Sequence, residues 1–273
     1  MKTLLLTVAL LGLLPGGSWA QAKKVLFVMS AARELPLQKD KVYRETGVFL
    51  NEFYLAYQAI TAAGYAVDFA SPHGSTPNID RESYHDKYWK GKEAAKAAAA
   101  AFVQQHPGFR RPRPLEELPV ALTDYAGLVV PGGQGLMADL MQHPRVPELL
   151  RSAARQGKAV GLICHAPALL LTMPPATNPF VGYRVNAVSG LEEFYIERFV
   201  LKGRPANRQI GRQLRRLGLQ YERRGPGQEY AVRDRELVTS QNPFSNDAFS
   251  RLYVAALADY QTRGSLRQPS ALN

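Results

Sequence analysis

The sequence predicts an α/β protein built on a mainly parallel sheet, and three observations carry that. Short, near-continuous apolar runs, at residues 24–30 and 159–163, suit strands covered on both faces. Helical patterns alternate with them, and strand, helix and strand at this spacing signal a right-handed parallel unit. Two apolar runs, 125–130 and 159–163, end in abrupt turns, Pro131-Gly132-Gly133-Gln134-Gly135 and Cys164-His165-Ala166-Pro167. Turns at the carboxyl edge of an open α/β sheet are where such folds bind ligands.

The first twenty residues stand apart from the fold. Lys2 gives a positive start, residues 4–14 are almost wholly apolar, and Ser18-Trp19-Ala20 supplies the small residues read by a signal peptidase. The segment is expected to be a secretory signal cut after Ala20, sending the protein out of the cytoplasm to a bacterial periplasm. The apolar run is too short, and broken too early by Pro15-Gly16-Gly17, for a stable membrane span. Residues 21–273 are long enough for one large α/β domain with a full core.

Taken in order, residues 24–30 form the first strand. Residues 46–63 form a helix that stops before Gly64, a residue suited to a helix end. Val48, Leu55, Ala59 and Ala63 share one stripe of that helix, and Glu52 lies on it. A carboxyl group there is expected to be partly buried. It is then paired, hydrogen-bonded or protonated beside something that uses its proton, unless it snorkels from the stripe edge. Residues 65–71 form the second strand. From 72 to about 122 the chain makes an excursion over the sheet edge, with a helix at 92–105 driven by five consecutive alanines and a flexible Arg/Pro tip at 107–114. His73 and His85 fall in it at a spacing that matches no metal site and are read as surface residues.

Residues 125–130 form the third strand, running into the glycine loop. Three glycines in four residues permit positive φ and close approach, so that backbone N–H groups can point at one anion. No lysine follows as a phosphate-binding loop requires. A proline-interrupted helix spans 138–156. Residues 159–163 form the central strand, with a helix starting near Pro167. Residues 183–189 form a strand, Glu192-Glu193 open a helical piece, and 207–217 form a basic helix. Residues 229–233 and 237–239 form a hairpin around Asp234-Arg235, and a terminal helix covers 246–260.

Cys164 is the only cysteine, so no internal disulfide exists, and a secreted protein that keeps one thiol carries it for chemistry or buries it. At the strand-to-helix turn it reads either as a nucleophile or as a core cysteine. His165 and a helix N-terminus are expected to lower its pKa. Without Lys2, 33 basic residues stand against 23 acidic ones. The excess gathers at Arg110, Arg111 and Arg113 and again from Arg204 to Arg224. Aromatic interleaving is thin and no nucleic-acid motif accompanies it, so a solvated basic face is expected and no nucleic-acid partner.

Four segments together resemble one family: Ala63-Gly64-Tyr65 through Asp68-Phe69-Ala70-Ser71-Pro72, Val130 to Gly135, Ile163-Cys164-His165-Ala166-Pro167, and Thr239-Ser240-Gln241-Asn242-Pro243. In this order and spacing they resemble the ThiJ/PfpI superfamily, which is related to class I glutamine amidotransferase domains. The second half of the first segment, and Gln241 to Ser245, point to its heat-shock chaperone and glutathione-independent glyoxalase branch. The resemblance implies a flavodoxin-like three-layer sandwich with a nucleophile elbow, in a homodimer. It implies Cys164 as nucleophile with His165 beside it, and Glu52 as the buried acid that hydrogen-bonds the cysteine. It implies backbone oxyanion or substrate donors at Gly132, Gly133 and the amide after the cysteine, with Ala166 in that binding set. Glu193 fits the spacing of an acid that orients the histidine, and Glu192 is the next candidate. Gln134 stands where many relatives carry histidine.

The activity implied is conversion of a 2-oxoaldehyde such as methylglyoxal to a 2-hydroxy acid, or release of a glycated amine by the same first step. It needs no metal, nucleotide or glutathione cofactor. The alternatives are a cysteine amidase or peptidase, and an envelope chaperone or redox sensor in which Cys164 is oxidised rather than turned over.

Overall fold

The computed structural model describes residues 24–38 and 42–266. The expected signal segment, its cleavage site and residues 267–273 lie outside the described residues. Strand β1 (Lys24–Val28) leads through the short antiparallel pair β2 (Glu34–Pro36) and β3 (Tyr43–Glu45) to α1 (Leu50–Ala62) and β4 (Ala66–Ser71). Next come α2 (Glu93–Gln105), α3 (Pro107–Arg110), β5 (Arg113–Pro114), β6 (Gly127–Val130), α4 (Arg145–Arg155) and β7 (Ala159–Ile163). The chain closes with β8 (Arg184–Val185), α5 (Gly190–Tyr195), α6 (Ile210–Arg216), β9 (Gln220–Tyr221), β10 (Ala231–Asp234), β11 (Leu237–Ser240) and α7 (Asn246–Arg263).

Seven strands form the main sheet in the order β10-β11-β7-β6-β1-β4-β5, parallel except for the β10–β11 hairpin. From β1 the chain crosses to β4, and from β6 it crosses the opposite way to β7. Right-handed crossovers in opposite directions put α1 and α4 on opposite faces. α7 packs beside α1 and over β7, where Gly161 makes room for Phe249 and Tyr253. This is the flavodoxin-like sandwich, and the point where the strand order reverses, between β1 and β6, is where such sheets open a crevice at their carboxyl ends.

The strands follow their apolar runs: β6 and β7 are buried at every residue. Departures from expectation have local causes. Helix α1 starts at Leu50 rather than residue 46, because 46–49 stay extended to pair elsewhere. Val48 exchanges hydrogen bonds with Asn78 and Asp80, and Phe49 N–H donates to Gly132 O at 3.0 Å. The helix is buried all round from Leu50 to Ala56, and Ala63 is exposed, so a single stripe describes only its first half. The Arg/Pro tip is ordered into the fold: Phe109 is fully buried against Phe53 and Phe69, and β5 is the sheet's edge strand. The helix after Cys164 is a 3-10 helix, Ala166–Thr172. The strand expected at 183–189 shrinks to β8, because Asn186 and Val188 bond Thr239 and Cys164 rather than a neighbouring strand. The β10–β11 turn is Arg235-Glu236, one residue later than expected, with Asp234 paired to Leu237. His73 and His85 are surface residues, with side chains 82% and 65% exposed.

Candidate active site

Cys164 sits at the carboxyl end of β7 with φ +58°, a strained left-handed conformation for a residue with a Cβ. The strain is held from both sides, since Cys164 N–H donates to Ser240 O at 2.8 Å and Cys164 O accepts from Val188 N–H at 3.0 Å. Val188, in the segment leading into α5, therefore helps to fix the elbow. The thiol lies 3.2 Å from His165 Nδ1, and His165 Nε2 lies 3.3 Å from Gln134 Nε2. Both ring nitrogens thus have partners. With the Gln134 amide donating to Nε2, the ring proton is on Nδ1, facing sulfur. Burial holds the His165 pKa down at about 4, so the ring is neutral at pH 7.

Glu52 enters from the first turn of α1 and is fully buried. Its carboxyl faces the Cys164 thiol and the Gly132 amide, but neither carboxyl oxygen makes a hydrogen bond of ordinary geometry. Burial pushes its pKa up to about 8, well over the lowering from those two neighbours, so the group is mostly protonated at pH 7. The glycine loop makes this proximity possible: a Cβ on Gly132 would collide with Glu52 Oε2 and the Cys164 Cβ.

The thiol does not match the expectation of a lowered pKa. Burial, and then the negative field of Glu52 and Glu192, push it up, against a lowering contribution from the His165 amide. The short 3-10 helix behind it offers little dipole in compensation. Burial alone disfavours the thiolate, and ionisation of Glu52 disfavours it further.

The expected third acid is corrected by the geometry. Glu193 makes no hydrogen bond to His165, whose ring nitrogens meet Cys164 and Gln134, and instead accepts from Ile210 N–H at 3.2 Å, at the start of α6. Glu192 borders the cavity, but its carboxylate is fully engaged. Oε1 accepts from Asn242 Nδ2 at 2.8 Å and Gly227 N–H at 2.9 Å, and Oε2 caps α5 through Ser189 N–H at 2.8 Å. The Gln241-Asn242 motif is the scaffold for that carboxylate. The side chain on the far nitrogen of His165 is Gln134, which the sequence placed in the glycine loop without revealing its target. Of the expected backbone donors, Gly133 borders the cavity, Gly132 faces Glu52 and the His165 amide faces the Cys164 thiol, while Ala166 is fully buried.

Cys164 and His165 form part of the floor of a cavity of about 750 Å3. Phe49, Tyr88 and Phe244 line it as one ring cluster, and Leu191, Phe194, Tyr195, Phe199 and Val200, from α5 and the turn after it, line another part. Among the described residues no group of three or more His, Cys, Asp or Glu side chains is placed to hold a metal ion, and no helix is long and apolar enough to cross a membrane.

An open α/β sheet with a cysteine elbow at its carboxyl edge, beside a histidine and a buried protonated glutamate, defines a class of cysteine-centred flavodoxin-like proteins. The DJ-1/PfpI family profile matches residues 42–177, and the chain belongs to the ThiJ/PfpI superfamily. The protein/nucleic acid deglycase HchA of Escherichia coli O157:H7 is 25% identical over 233 residues, 84% of this chain and 79% of that protein. Its namesake in Shigella sonnei is 25% identical over 244 residues, 86% of this chain and 83% of that one. The crystal structure of glyoxalase III from Candida albicans superposes with a TM-score of 0.70 at 21% identity, over 86% of this chain and 98% of that one. Drosophila melanogaster DJ-1beta does so at 0.54 and 17%, over 89% and 96%. At these identities the two structures speak for the fold.

Proposed function

We propose that the protein is a cysteine-dependent, glutathione-independent glyoxalase, or a related deglycase, acting outside the cytoplasm after loss of residues 1–20. The name of its sequence relatives, protein/nucleic acid deglycase, supports an enzyme of the deglycase and glyoxalase type. The observation that carries the finer reading is the Cys164 elbow, with the His165 ring at 3.2 Å and a protonated, buried Glu52 against the thiol.

In this reading the Cys164 sulfur adds to the aldehyde carbon of R–CO–CHO, and the thiol proton passes to the new hydroxyl, giving a hemithioacetal. Protonated Glu52 donates a hydrogen bond toward the developing oxygen and keeps its proton, and the Gly133 backbone borders the cavity in which that oxygen forms. Neutral His165, through its unprotonated Nε2 as the Gln134 amide gives way, takes the proton from the carbon bearing sulfur, and an enediol forms. Return of a proton to the neighbouring carbon gives a 2-hydroxy thioester, and water releases the acid and restores the thiol. The first carbon is oxidised, the second reduced, and one water is consumed, so no external redox partner is needed. Glycated amines would enter through the same first addition. The homodimer implied by family resemblance belongs to the same proposal.

The test is incubation of the purified protein, Cys164 reduced, with methylglyoxal in the absence of glutathione, with lactate read by NMR. Lactate formation that disappears in Cys164→Ala supports the proposal. A folded, reduced protein that makes none overturns it.

A further inference from the structure

The chemistry above uses only the floor of the cavity and leaves its walls without a task. Methylglyoxal carries a single methyl group beside its two carbonyls, whereas about 750 Å3 is a space that encloses a drug-sized molecule. One wall is a continuous helical segment. α5 runs without a break into a π-helical stretch, Ile196–Val200, closed by Leu201 N–H donating to Ile196 O at 2.8 Å. Such wide turns concentrate at functional sites. Phe194, Tyr195, Phe199 and Leu191 all face the cavity while remaining 54–60% exposed, and the Tyr195 and Phe199 rings meet at 5.1 Å. A patch of this kind, continuous with a reactive thiol, marks a binding surface.

The other wall is also aromatic. Phe49 meets Tyr88 edge to face at 4.9 Å, and Tyr88 meets Phe244 at 5.6 Å. Two cations, Arg44 and Lys87, line the cavity against four acids, Glu45, Asp80, Glu82 and Glu192; Lys87 Nζ donates to Glu82, and Arg44 Nε donates to Leu201 O. Glu192 adds a negative field toward the thiol. The lining acids outnumber the cations, which disfavours a phosphate or carboxylate on the substrate, and both walls match hydrocarbon.

Building on the glyoxalase reading, we propose that the preferred substrate is a 2-oxoaldehyde R–CO–CHO whose R group is an uncharged, bulky apolar chain or ring, seated against the Phe194–Phe199 and Phe49–Tyr88–Phe244 walls. Its product is R–CHOH–COOH, formed with uptake of one water.

The experiment compares kcat/KM for 2-oxooctanal and methylglyoxal, each read by NMR of its 2-hydroxy acid, for the native protein and for the Phe194→Ser/Phe199→Ser double variant. We expect the native protein to favour 2-oxooctanal by at least about tenfold, the discrimination available to added methylenes in an apolar pocket. The double variant should bring the ratio to within about threefold of unity. Equal or lower kcat/KM for 2-oxooctanal in the native protein overturns the inference while leaving the glyoxalase reading standing. Turnover of neither aldehyde by folded, reduced protein removes that reading and this one with it. A dimer that dissociates on the double substitution assigns the wall to self-association and also overturns the inference. The native ratio decides even if the double variant fails to fold.

Discussion

Replacing Glu52 by Gln should flatten the dependence of stability on pH. Glu52 is fully buried, and its pKa rises from 4.5 in the unfolded chain to about 8 in the fold. Between those values the folded state binds the extra proton, so the contribution is fully present below pH 4.5 and is lost as pH rises through about 8. At about 1.4 kcal/mol per unit, the whole interval is worth on the order of 5 kcal/mol, and the part between pH 5 and pH 8 about 3 to 4 kcal/mol. Asp80, raised to about 6, and Glu193, raised to about 7, both by burial, tilt the native protein in the same direction. They are common to both proteins, so the difference between native and Glu52→Gln isolates Glu52. Urea unfolding at one-unit steps from pH 5 to pH 8 reads it directly. The native protein should lose stability over this range by about 3 kcal/mol more than the variant. Parallel slopes would mean that Glu52 is ionised throughout, and the account of a protonated acid beside the thiol would fall.

Three further outcomes follow from the same geometry. The kcat/KM profile for methylglyoxal should fall on the acid side as His165 protonates near pH 4 and on the alkaline side as Glu52 ionises near pH 8. A plateau extending beyond about pH 9 contradicts that assignment. Gln134→Leu removes the partner of His165 Nε2 and should lower kcat about five- to tenfold, the worth of one buried hydrogen bond, measured by initial lactate rates. An unchanged kcat would show that the ring is held without it. Glu193→Gln should keep kcat within about twofold of native, because Glu193 bonds Ile210 rather than His165. A loss comparable to that of Cys164→Ala would return Glu193 to the catalytic group.

The sheet was legible in the sequence because its strands are apolar on both faces. Residues 24–28, 66–71 and 159–163 fall inside or on the expected runs. The glycine loop and the cysteine turn were legible for a local reason too, since each breaks the chain at a strand end. Glu52 could be singled out as a carboxyl on an apolar stripe, but its target, brought in by the β1–α1 crossover, is a matter of tertiary placement. The Glu193 expectation failed because spacing along a chain does not fix which way a short helix faces. The Ser189–Glu192 capping box set α5 so that Glu192 borders the cavity and Glu193 meets α6. The aromatic wall left no signal of its own: Phe194, Tyr195 and Phe199 read as ordinary apolar residues until their exposure was seen. The pKa of Cys164 was misjudged because local sequence shows the histidine and the helix, whereas burial and the field of Glu52 and Glu192 come from distant parts of the chain.

The most direct test of covalent catalysis at Cys164 is rapid acid quenching of the reduced protein during methylglyoxal turnover, followed by peptide mass mapping. The mass of one methylglyoxal should appear on the peptide containing Cys164 and decay as lactate accumulates, with neither adduct nor lactate in Cys164→Ala. Lactate production by Cys164→Ala at the native rate would contradict the account.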